Sequence, residues 1–230
     1  SDVYKRQLKM HGGVPRSELH REDVGAVERG LENLGRHIRN LGEYGVPLVV
    51  AINHFTDDTQ AEIDAIRHYV EQRGIKAHVC THWADGGAGA QELGRAVAEL
   101  TAGGRASFKT LYDDDLSLWD KARTVARRIY GAEDIEADKK IRDQFEQFEA
   151  EGYGRFPVCM AKTQYSVSTD PQLLGAPTNH RVKVRELALA AGAEFLVVIC
   201  GDIMRMPGLP RAPAANNITV NERGEIEGLF

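Results

Sequence analysis

Between Asp23 and Tyr44 the apolar residues Val24, Val27, Leu31, Leu34, Ile38 and Leu41 recur at intervals of three and four, the spacing of an amphipathic helix. Gly45 stops it. VPLVVAIN (46–53) runs apolar without a break and is rich in β-branched residues, which predicts a strand covered on both faces in a parallel sheet. Thr59 and Glu62 form a capping box opening a helix whose apolar face is Ile63, Ile66 and Val70 and which ends before Gly74. IKAHVC (75–80) predicts a second strand, and the glycine-rich HWADGGAGAQEL leads into a third helix ending near Gly103 and Gly104. Strand, helix, strand, helix is the pattern of a βαβ unit with right-handed crossovers.

A break near residues 103–108 introduces a second unit. The pattern predicts helices over 114–131 and 138–151, strands at FPVCMAK (156–162) and EFLVVIC (194–200), and a further helix over 182–191. The tail is rich in turns through Pro207, Gly208, Pro210 and Pro213 and closes on a short hairpin around residues 221–224. Residues 1–7 share none of this periodicity and are read as foreign to the fold, which is expected to begin at Leu8. The expected class is therefore α/β: two units, 8–105 and 106–230, with mainly parallel sheets flanked by helices.

Composition narrows the partners more than the fold. The 230 residues, 42% hydrophobic and 27% charged, are those of an ordinary globular chain, and a net charge of −5 offers no basic field for nucleic acid or an anionic membrane. No apolar run approaches the ~18 residues of a membrane helix, so a cytoplasmic protein acting on a small molecule or on another subunit is expected. Cys80, Cys159 and Cys200 are odd in number, widely spaced and set in apolar runs, which predicts reduced core thiols.

In an open parallel sheet, ligands bind beyond the carboxyl ends of the strands, where loops part and helix N-termini point inward. Phe55 follows one predicted strand and Trp83 the next. If the strands are neighbours, the two aromatics either cap the core or clamp a planar ring, and spacing alone leaves both open. Asp57 and Asp58 read first as helix caps; a carboxylate there also suits the paired N–H donors of a 2-amino-pyrimidinone. His78, Cys80 and His82 alternate toward one face, but HxCxH falls outside structural zinc spacings, so packing is the default and no metal site is expected. The chain contains no G-x-x-x-x-G-K-[ST], no G-x-G-x-x-G after a strand and no nucleophile elbow, which argues against a nucleotide hydrolase and against a nicotinamide-dependent oxidoreductase.

LKMHGGV (8–14), VVAINHFTDDTQAEI (49–63), THWADGGAG (81–89), RRIYGAEDI (127–135), FPVCMAKTQYSVSTDP (156–171), LLGAPT (173–178), GDIMRMPGLP (201–210) and GLF (228–230), taken in order, resemble the formate–tetrahydrofolate ligases. The resemblance covers residues 8–230 and implies the C-terminal part of a three-domain, P-loop-like chain whose phosphate loop lies in an N-terminal domain outside this sequence. It implies synthesis of 10-formyltetrahydrofolate from formate, tetrahydrofolate and ATP with Mg, through formyl phosphate, by a homo-oligomer, usually a tetramer in bacteria. It also implies that Phe55 and Trp83 sandwich the pterin ring. Lys9 and His11 in KMHGG, where a strand would meet a glycine turn, and Lys162 and Gln164 in AKTQYS are weaker carry-overs as ligand contacts. Asn179 stands where the family more often has glycine, and Arg205 where threonine is usual. A rival reading is a subunit-assembly fragment with no ligand of its own.

Overall fold

The computed structural model describes residues 2–203 and 211–228, in two α/β units. The first holds a three-stranded parallel sheet in the order β1 (Asp2–Tyr4), β2 (Val49–Asn53), β3 (Lys76–Cys80). Around it lie α1 (Lys5–His11), α2 (Val24–Gly42), α3 (Gln60–Glu71), the one-turn α4 (His82–Asp85) and α5 (Gln91–Ala102). The Asp23 side chain caps α2 by accepting the Ala26 N–H at 2.8 Å, and Val27, Leu31, Leu34 and Ile38 form the buried stripe the spacing predicts. Helix α1 lies backbone to backbone against α2: a Cβ at Gly30 would overlap the Leu8 carbonyl, and one at Gly12 the Ala26 carbonyl.

Residues 1–7 were expected to lie outside the fold, and the structure differs. Asp2–Tyr4 pairs in parallel with Ala51–Asn53 as the edge strand, and Lys5 is buried at the start of α1. A three-residue strand is too short to show a period. KMHGG likewise sits at the end of a helix rather than of a strand.

The second unit is built on a four-stranded sheet in the order β4 (Asp134–Glu136), β6 (Arg181–Ala190), β7 (Phe195–Cys200), β5 (Val158–Ala161). Helices α6 (Leu118–Arg128) and α7 (Lys139–Phe148) cover it, and Leu118, Ile135, Phe145, Val182, Leu196 and Val198 anchor its core. Its outer pairs are parallel and the β6–β7 pair is antiparallel. The helix expected over 182–191 is in fact β6, the longest strand. Val182 and Val184 alternate inward, then a bulge between Val184 and Glu186 shifts the phase so that Leu187 is buried next. A spacing of three across a bulge imitates a helix.

The tail hairpin is present as β8 (Thr219–Val220) and β9 (Ile226–Glu227). MPGLP and Arg205 lie outside the described residues, as do the last two positions of GLF. Cys80 and Cys200 are buried thiols, whereas Cys159, expected in the core, is exposed. It points outward from β5, a sheet-edge strand whose residues alternate in direction. No helix among the described residues is long and apolar enough to cross a membrane.

Candidate functional site

Strands β2 and β3 end in register, Asn53 opposite Cys80, so the segments that follow leave the sheet side by side. The His54 N–H donates to the Cys80 carbonyl at 3.0 Å and continues the pairing one step past the strand. Phe55 then turns: its N–H donates to Asp58 Oδ2 at 2.9 Å while its carbonyl accepts the Asp58 N–H at 3.0 Å. Trp83, on α4, reaches back across the rim, and its Nε1–H donates to the His54 carbonyl at 2.7 Å. The two rings face each other with centroids 6.0 Å apart and planes inclined by 21°. Trp83 is 51% exposed, an unusual cost for the largest apolar side chain. The glycine-rich turn makes this approach feasible, since a Cβ at Gly89 would strike the Thr81 backbone and Gly86 holds a φ of 58°.

Beside the rings the Arg6 guanidinium stands 5.8 Å from the Phe55 centroid and pairs with exposed Asp57 at 3.0 Å. Asp57 is open to solvent; Asp58 is not. The Asp58 side chain is 1% exposed and pairs with Lys5 at 3.0 Å, and Lys5 also contacts Glu62 at 2.7 Å. Glu62 in turn meets Lys9 at 3.0 Å and accepts the Asp23 N–H at 2.9 Å. Lys9 completes its donor set on the Leu19 and Arg21 carbonyls. Burial by itself raises the Glu62 carboxyl, but hydrogen bonds from Lys5, Asp23 and Lys9 outweigh it and hold the group at about 2. Asp58 and Lys9 are thus enclosed, with Lys5 and Glu62, in a buried network of two positive and two negative groups.

His11 and Gln164, far apart in sequence, meet across the two units. Both line a cavity of about 700 Å³ together with Met10, Arg16, Tyr165 and Leu174. His11 Nδ1 accepts the Gly175 N–H at 3.1 Å, which leaves Nε2 as the protonated nitrogen of the neutral ring. Burial, then the charge of His37, pushes its pKa below the ordinary histidine value. Lys162 turns away from this cavity toward the Thr163 and Ser166 carbonyls and the Tyr130 ring, and burial lowers its pKa. Arg36 and His180 beside it were not legible as a group, because they converge from α2 and from the loop before β6.

Parallel strands in register, helices on their crossovers and an aromatic pair at their carboxyl ends define an α/β protein whose rim is built as open-sheet ligand sites are. The formate–tetrahydrofolate ligase family model matches residues 3–230, and this chain belongs to that family. It is 55% identical over 225 residues to the formate–tetrahydrofolate ligase of Roseobacter denitrificans, and 56% identical to those of Maricaulis maris and Ruegeria sp.. Each alignment takes in 98% of this chain and 40% of the relative, so the chain spans less than half the length of the curated relatives it matches.

Proposed function

We propose that this chain supplies the folate site of an ATP-dependent ligase that forms 10-formyltetrahydrofolate from formate and tetrahydrofolate. The observation that carries the reading is the near-parallel Phe55–Trp83 pair at the ends of adjacent parallel strands. A flat ring between two others needs roughly 7 Å between the outer planes, twice a carbon contact of about 3.5 Å. From 6.0 Å the pair must open by about 1 Å. Trp83 is the side that gives, since it rides on a single exposed helical turn, while its bond to the His54 carbonyl keeps it on the rim. Asp57 is the carboxylate free to exchange Arg6 for the N–H donors of a pterin's pyrimidinone edge.

In this reading formate is first phosphorylated by ATP with Mg; N10 of the held folate then attacks the formyl carbon, the C–O bond to phosphate breaks, and the N10 proton passes to the departing phosphate. This chain's part is to hold the pterin so that N10 is presented. We assign no residue here to ATP. We further take residues 8–105 and 106–230 as two of the family's three domains, of P-loop-like fold, in a cytoplasmic homo-oligomer. The exposed apolar side chains Phe108, Leu173 and Leu174 support the assembly part of this reading.

Fluorescence separates the candidates, because the only other tryptophan, Trp119, packs edge-on against Phe145 under Arg142 in the second unit. Titration with tetrahydrofolate is expected to quench Trp83, and Phe55→Ala is expected to weaken binding about tenfold, the loss of one stacked face and its buried area. Quenching that survives Phe55→Ala unchanged and vanishes only in Trp119→Phe would sink the assignment.

A further inference from the structure

Away from the aromatic rim, α2, the end of α3 and the loop before β6 enclose a crevice of about 440 Å³, within the range of small-molecule sites. Helix α3 begins beside the rim and runs 12 residues, so Tyr69 in its last turn lies about 14 Å from its start, and Arg73 just past its end lies farther, at the amino-terminal edge of the sheet. Glu32, Arg36 and Arg39 line the crevice from one face of α2, and Ala176 and Thr178 from the second unit. Three guanidinium groups thus meet a single carboxylate. Among the described residues none of the three arginines has an ion pair.

The groups are held rather than loose. Arg36 is 4% exposed, its head donates to the Ala176 and Pro177 carbonyls, and its Nε is buried without a partner. Arg73 sits over the Tyr69 ring, 3.4 Å from the centroid, and donates Nη1 to the Tyr69 carbonyl at 2.8 Å. Gly35 makes room for the Tyr69 hydroxyl, which a Cβ there would overlap. Burial, and then the charge of Arg39, pushes Arg36 below the ordinary guanidinium value; these like charges repel in the absence of an anion.

We propose that this crevice binds a small phosphate dianion, free or as a phosphomonoester. A doubly charged tetrahedral oxyanion matches the fork geometry of Arg39 and Arg73 and, with Arg36 fixed behind them, relieves the repulsion between the arginines. Because Arg36 and Thr178 bring both units to the site, an occupied crevice also ties the units together.

Calorimetric titration of the 230-residue chain with inorganic phosphate, and separately with adenosine monophosphate, tests this at constant ionic strength against chloride. Binding of phosphate as tight as the ester identifies the free ion as the ligand; tighter binding of the ester identifies a ligand that also uses the Tyr69 and Ile75 walls. Arg39→Gln and Arg73→Gln, both at exposed positions, are each expected to weaken binding about tenfold, the loss of one charge-assisted contact. Phosphate is expected to raise the melting temperature of the parent and not of the double variant, with phosphate-free melting confirming that the variants fold. Absence of binding at millimolar phosphate and ester, equal binding of chloride, or undiminished binding in the double variant would overturn the proposal.

Discussion

Replacing Glu62 by Gln isolates the buried charge network of the first unit. The native carboxylate is fully enclosed, contacts both Lys5 and Lys9, and ionises at about 2 against an ordinary 4.5. At about 1.4 kcal/mol for each tenfold change in acid dissociation, that depression corresponds to roughly 3 kcal/mol of folding stability at neutral pH. The sign follows from the direction: the unfolded chain takes up the proton first, so the contribution is complete above about pH 5 and is lost as the pH falls toward about 2. Glu62→Gln should therefore lower the unfolding free energy by about 3 kcal/mol at pH 7, with the gap narrowing to about half by pH 3. Urea unfolding of both proteins at pH 7, 5, 4 and 3 measures it, with the slope on urea checked for constancy. A gap below about 1 kcal/mol at pH 7, or one that does not change between pH 5 and 3, would refute the argument.

Gly30→Ala forces a methyl group into the Leu8 carbonyl where α1 crosses α2, and is expected to cost about 3 kcal/mol or more by denaturant melting, whereas Gly42→Ala, which meets nothing, should not. Asn179 has a φ of 59°, in the left-handed region that asparagine tolerates and branched residues do not; Asn179→Val should destabilise by about 1–2 kcal/mol and Asn179→Gly by nothing measurable. Native alkylation should label Cys159 alone, with Cys80 and Cys200 reacting only after unfolding, since burial also pushes the Cys200 thiol up to about 12.

What the sequence disclosed followed from how local each signal is. The runs 46–53 and 194–200 announced buried strands because strands covered on both faces need apolar residues at nearly every position, while 75–80, with Lys76 and His78, is a partly exposed edge strand. The rim aromatics were legible for the same reason: in-register parallel strands place the residues after them side by side. Thr59 was a legible cap, but its box partner was not what it seemed. Glu62 does keep a 3.4 Å contact with Thr59, yet its carboxylate mainly serves two lysines from α1, a tertiary demand that no local motif encodes. The burial of Lys9 against Glu62 was hidden for the same cause. The β6 bulge disguised a strand as a helix, and the arginine crevice drew on residues 32–39, 69–75 and 176–178, too far apart for any spacing rule.

The hairpin of β6 and β7 has one more consequence. Its strands are joined by the four residues 191–194 and pair with near neighbours in the chain, while β4 and β5 can dock only after the chain has returned across a helix or a long loop. Short-range closure is entropically the least demanding step, so the second unit is expected to crystallise outward from this central seed and to seal its parallel flanks last. Pulsed amide exchange that protected either flank before the centre would reverse that order.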